Sequence, residues 1–207
     1  MNEELLGIFP TPIYIAKYKK DITDEFNFIK KISYVNNGKN GNFKSVNTFV
    51  LESKELKNLK NFISEHLNNY TKKIMMSNDV LTPTISWTNK NPKGSRHHEH
   101  IHPNSIVSGV FYFSIHDLVP IMFHKYDFGG LKLDSLKYND YNNGMYSVKM
   151  CASELVLFPS NTRHSVPINI NDEVRYSLSF NTFVNSTIGS TDKLTYLNVK
   201  ELVNANS

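Results

Sequence analysis

The stretch Arg96-His97-His98-Glu99-His100-Ile101-His102-Pro103 places five potential metal ligands within eight positions. In an extended strand successive side chains point to opposite faces, so His98, His100 and His102 are expected on one face and His97 and Glu99 on the other. Two imidazoles one residue apart make a two-ligand clamp from a very short piece of chain. The third ligand has to come from elsewhere, and His164, in Ser160-Asn161-Thr162-Arg163-His164-Ser165-Val166-Pro167, is the best placed by type and context. Imidazole suits iron, zinc, copper and nickel alike, so the ligands do not choose the metal. A strand beginning eleven positions after His164 carries Arg175 and Ser177 on one face. A buried arginine on a sheet is costly unless an anion pairs with it, and its planar fork suits a carboxylate. A small dicarboxylate would chelate the metal at one end and meet Arg175 and Ser177 at the other, with Tyr112 offering a further hydroxyl. The residues leave two ligand pairs open, His100 with His102 or His97 with Glu99, each completed by His164.

The elements that must position these groups fall into two parts. Gly7 to Ala16 reads as an opening strand whose prolines, Pro10 and Pro12, place its start at an edge or bend. Asp21 or Thr23 caps a first helix with Ile22, Phe26, Ile29 and Ile32 on one face. A loop at Asn36 to Gly41 leads to a strand at Ser45 to Leu51. Ser53 then caps a second helix lined by Leu56, Leu59, Ile63, Leu67 and Tyr70, with His66 at the surface. From Leu81 the helical period gives way to short strand-like runs: Thr84 to Asn89, Ile106 to Ile115, Pro120 to His124, Tyr146 to Met150, Glu154 to Phe158, His164 to Ile168 and Arg175 to Val184. Many short strands after N-terminal helices predict a mainly β protein, two sheets in a jelly-roll or cupin-like shape with the helices supporting one sheet. One domain spans 1–207: a strand and supporting helices in 1–80, the β core in 81–185 and a C-terminal extension in 186–207. Lys125 to Gly144 is long enough for a functional loop.

Composition narrows the classes further. With 40% hydrophobic and 12% aromatic residues the chain is not disordered, and 207 residues bury a substantial core without disulfides. The net charge of +4 is scattered rather than gathered into a basic run, which argues against nucleic-acid binding. A single Cys151 forms no internal disulfide, and no apolar stretch approaches the roughly 20 residues that span a bilayer. The expectation is a soluble cytoplasmic protein, with a homodimer compatible with it. No Gly-rich phosphate cradle, Gly-x-Ser-x-Gly elbow or Cys/His nucleophile site is present.

Trp87, Gly94, His100-Ile101-His102-Pro103, Ser108 to Tyr112, Leu157 to Ser160, His164 to Pro167 and Arg175 to Asn181 resemble the 2-oxoglutarate and Fe(II)-dependent oxygenases of bacteria and their viruses. Ile8-Phe9-Pro10-Thr11-Pro12-Ile13 is also similar to that family's opening, so the resemblance covers most of residues 7 to 183. It implies a double-stranded β-helix, Fe(II) held by His100, His102 and His164, and 2-oxoglutarate bound through Arg175 and Ser177, with Tyr112 as a further co-substrate ligand. It implies oxidative decarboxylation of 2-oxoglutarate coupled to hydroxylation of a small molecule, protein or nucleobase. The wider superfamily uses a His-x-Asp/Glu pair where this chain has His-x-His. Three neutral imidazoles leave an Fe(II) site at a charge of +2, which a bound 2-oxoglutarate dianion brings to about zero. Two other readings compete: a cupin-type metalloenzyme that does not use 2-oxoglutarate, and a sandwich-fold binding or assembly module without catalysis.

Overall fold

The computed structural model describes residues 3–38, 41–114, 120–125 and 134–199. Expectations for 126–133 of the long loop, for Ile115 and for the tail beyond 199 lie outside the described residues.

The strands are β1 (Tyr14–Lys17), β2 (Tyr34–Asn36), β3 (Phe43–Ser45), β4 (Leu81–Asn91), β5 (His97–His100), β6 (Val107–Ser114), β7 (Ile121–His124), β8 (Met145–Val148), β9 (Glu154–Pro159), β10 (Arg163–Val166), β11 (Arg175–Val184), β12 (Thr187–Ile188) and β13 (Leu197–Asn198). The helices are α1 (Thr23–Lys31) and α2 (Lys57–Lys73). A large sheet runs in the order β1-β9-β6-β11-β4-β3-β2, a smaller one in the order β5-β10-β7-β8, and β12 pairs with β13. The paired strands of these sheets are antiparallel. This is the double-stranded β-helix, mostly β, with α1 and α2 as supporting helices among the described residues.

Period-two alternation in β6, β9 and β11 builds two separate cores. Phe111, Phe113, Leu155, Leu157, Leu178 and Phe180 join Ile29, Leu59, Ile63 and Leu67 of the helices on the outer face of the large sheet. Val110, Tyr112, Val156 and Phe158 instead meet Ile121 and Phe123 between the sheets. Gly109 fits its strand because a Cβ there would lie 2.2 Å from Cζ of Phe180. Phe180 of β11 and Leu157 of β9 thus close over β6 where a side chain is missing.

Several sequence expectations need correction. Ser45 to Leu51 is not a strand: β3 ends at Ser45, and Val50–Glu52 is a 3-10 turn. The residues before it form instead a β2–β3 hairpin that extends the large sheet. Neither helix has a side-chain N-cap; Asp21 accepts hydrogen bonds from the Thr23 amide and hydroxyl, and Ser53 precedes a short 3-10 turn. His66 is half-buried, its Nδ1 2.7 Å from the Tyr14 hydroxyl and its ring 4.3 Å from that of Phe62, so it ties α2 to β1. Among the described residues no helix is long and apolar enough to cross a membrane.

Candidate metal and co-substrate site

Strand β10 lies between β5 and β7, and His164 stands directly opposite His100. The register then slips, so that Val166 faces His97 where a regular ladder would present His98. An extra residue of this kind is a β-bulge, and it re-aims side chains. His97 and His100 consequently stack at 4.5 Å and 17° on the inner side, while His98 and Glu99 are exposed. The strict even-and-odd alternation expected for residues 97 to 102 does not hold. His102 lies past the end of β5, where its backbone N–H donates to the Ser160 carbonyl and its ring approaches Trp87 at 5.8 Å.

The ring nitrogens of His100, His102 and His164 fall within 4.8 Å of one another. His97, His98 and His100 form an overlapping group of the same spread, with His98 exposed. Nε2 of His102 lies 3.2 Å from Nε2 of His164. Two nitrogens at that separation, each about 2.1 Å from a shared ion, subtend roughly 100° at it, an ordinary angle for adjacent ligands. Nδ1 of His164 is 3.0 Å from the Thr162 carbonyl and Nδ1 of His100 is 2.8 Å from the His98 carbonyl. A carbonyl only accepts, so each Nδ1 carries the proton and each neutral ring keeps its Nε2 lone pair for a metal.

Burial keeps the rings neutral. It pushes His102 down to about 3 and His164 to about 4, with neighbouring imidazoles adding to the effect. His100 is lowered chiefly by burial, and His97 falls to about 3 through burial, the other histidines and Arg175. The donor set therefore fits a divalent first-row metal: three neutral, converging imidazoles.

Glu99 takes a different part. Its carboxylate accepts from Nε of Arg163 at 2.5 Å and lies 3.6 Å from Nδ1 of His124. His124 Nε2 is in turn 2.8 Å from the Ser165 hydroxyl. This network joins β5, β10 and β7 on the solvent side, behind the His100 and His164 pair.

On the facing sheet, Arg175 and Ser177 are 2% and 3% exposed and line the same cavity as the histidines. Tyr112 pairs with Ser177 across β6 and β11, and its ring centroid lies 4.9 Å from the Arg175 guanidinium carbon. Burial raises the Tyr112 hydroxyl while the guanidinium opposes that rise. The three expected histidines and the three expected co-substrate residues thus share one cavity. Its walls also include His97, Asn89, Asn91 and Ser179, which the sequence reading did not assign to the co-substrate. Their signal was present: Asn89 and Asn91 follow Trp87 at two-residue steps, on one face of a strand paired with Arg175 to Ser179. The free space is about 30 Å³, room for about one water.

Residues 85–181 match the family model described as "Putative 2OG-Fe(II) oxygenase". Solved structures with the same fold include HygX from Streptomyces hygroscopicus with nickel, 2-oxoglutarate and hygromycin B bound, at 11% identity over 83% of this chain and 82% of that one, TM-score 0.60. They also include the α-ketoglutarate-dependent epimerase SnoN from nogalamycin biosynthesis, at 12% identity over 86% and 81%, TM-score 0.62. A prolyl-4-hydroxylase from Pseudomonas putida aligns at 13% identity over 82% and 91%, TM-score 0.56. Comparison with curated protein sequences gave no match. With the histidine cluster and the double-stranded β-helix already in place, residues 85–181 carry the match to the 2OG-Fe(II) oxygenase family, an enzyme class dependent on iron and 2-oxoglutarate.

Proposed function

We propose that His100, His102 and His164 hold the Fe(II), that Arg175, Ser177 and Tyr112 receive 2-oxoglutarate, and that the enzyme hydroxylates a small molecule or a protein in the cytoplasm. The observation that carries this reading is the convergence of three neutral imidazole nitrogens on the cavity that contains a buried guanidinium. When bound, iron and 2-oxoglutarate supply the oxidation, in which decarboxylation of the co-substrate is coupled to hydroxylation of the substrate.

The chain's own residues position and shield. The Thr162 and His98 carbonyls fix the tautomers of His164 and His100, so no proton has to leave before metal uptake. Arg175, braced by the Tyr112 ring, presents a planar fork to the far carboxylate, and Ser177 adds a hydroxyl from the same strand face. Val110, Ile121 and Val166 complete the walls and exclude water from that pairing. Because the ligands are neutral, a dianionic co-substrate balances the charge of the metal that a carboxylate ligand would partly offset.

Nickel, a redox-silent stand-in, tests the assignment. The His164→Ala variant is expected to lose nickel affinity by about a hundredfold or more, and Arg175→Lys to keep nickel but bind 2-oxoglutarate at least about tenfold more weakly. Unchanged nickel uptake by His164→Ala, measured by calorimetry, defeats the ligand assignment.

A further inference from the structure

Strand β4 turns Trp87, Asn89 and Asn91 into the cavity, opposite Ser179, Ser177 and Arg175 of β11. The row begins beside His102, whose ring is 5.8 Å from Trp87, and ends at the guanidinium. Asn89 and Asn91 are 5% and 6% exposed, and the Oδ1 of each is buried with no hydrogen-bond partner. A buried amide oxygen left in that state is destabilising, whereas an apolar side chain of similar size fills the same space without that cost. The fold therefore gives no reason for two amides here, and a polar ligand does. Nδ2 of Asn89 donates to the Ser179 hydroxyl at 3.0 Å. A half-turn of the amide exchanges its two ends at little steric cost: Ser179 then donates to Oδ1, and Nδ2 faces the cavity as a donor.

We propose that Asn89 and Asn91 are binding residues for the co-substrate and read different ends of it. Asn91, in register with Arg175, donates to the far carboxylate. Asn89, one step nearer the histidines, donates to the 2-oxo acid end. This inference rests on the function proposed above, and it adds a donor pair on β4 to the residues of β11.

The test uses the full chain loaded with nickel and two ligands, 2-oxoglutarate and 2-oxobutyrate, which lacks the far carboxylate. Calorimetry is expected to show Asn91→Leu weakening 2-oxoglutarate about tenfold while leaving 2-oxobutyrate unchanged. Asn89→Leu is expected to weaken both. Melting of the metal-free variants supplies the control: a ligand-binding role leaves the melting temperature of Asn91→Leu equal to or above wild type, whereas a purely structural role lowers it. Variants that bind both ligands as the wild type does, or a lowered melting temperature with unchanged ligand selectivity, overturn this inference alone. A wild type that takes up nickel but no 2-oxoglutarate overturns the proposed co-substrate site and this inference with it.

Discussion

The two faces of the large sheet are built from alternate residues of the same strands, yet they do different work. Toward the helices, Phe111, Leu155, Leu157, Leu178 and Phe180 are fully buried among other apolar groups. Toward the small sheet, β11 buries Arg175, Ser177 and Ser179 almost as deeply, and β4 adds Asn89 and Asn91. Equal burial accompanies opposite chemistry. The helix-facing side gains from the hydrophobic effect, while the inner side carries desolvated polar groups whose burial costs free energy. Polarity is local even there, because Val110, Val156, Phe158 and Phe123 keep the β9 and β7 side of the interior apolar.

Substitutions on the two faces should separate stability from binding. Phe180→Ala, on the helix face, is expected to cost about 3–5 kcal/mol in chemical denaturation, because the ring is fully buried in the larger core. His164→Ala, on the inner face, should leave that midpoint nearly unchanged while abolishing metal uptake; a large loss of stability without loss of metal would erase the contrast. Gly109→Ala comes next. Its new Cβ would meet Phe180 at 2.2 Å, and overpacking of this kind costs about 1–3 kcal/mol.

The inner face should also show itself in the pH dependence of stability. His97, His102 and His164 have folded-state values of about 3, 3 and 4, below an unfolded value near 6.5. The unfolded chain therefore takes up protons that the folded chain refuses. The stability contributed by these neutral rings is present above about pH 6.5 and is lost as pH falls through the window toward 3–4. Each ring adds at most about 1.4 kcal/mol per pH unit there. Melting of the metal-free protein should therefore shift downward between pH 7 and pH 5, and the shift should shrink in His102→Ala.

Much of this contrast was legible in the sequence. Residues 175–180 alternate polar and apolar, so Arg175 and Ser177 fall on one face and Leu178 and Phe180 on the other. The sequence also brought forward His100, His102 and His164, with His97 and Glu99 as a rival pair. What period-two reasoning could not supply was the bulge in β5, because a register slip is set by the partner strand. That slip turns His97 inward beside His100 and Glu99 outward to Arg163. The β2–β3 hairpin was missed for a similar reason: its strands are three residues each and gain their stability from pairing with β4. Asn89 closed the expected strand and Asn91 fell beyond it, whereas β4 runs to Asn91 and its pairing sets the two opposite Ser177 and Arg175.

The central claim is that one cavity holds Fe(II) on His100, His102 and His164 and 2-oxoglutarate against Arg175. Anaerobic titration of the metal-free protein with Fe(II) and then 2-oxoglutarate, followed in the visible range, tests it most directly. The account predicts a charge-transfer band that saturates at one equivalent of iron, requires 2-oxoglutarate and is absent in His164→Ala. Iron binding with no band on adding 2-oxoglutarate, or an undiminished band in His164→Ala, would contradict it.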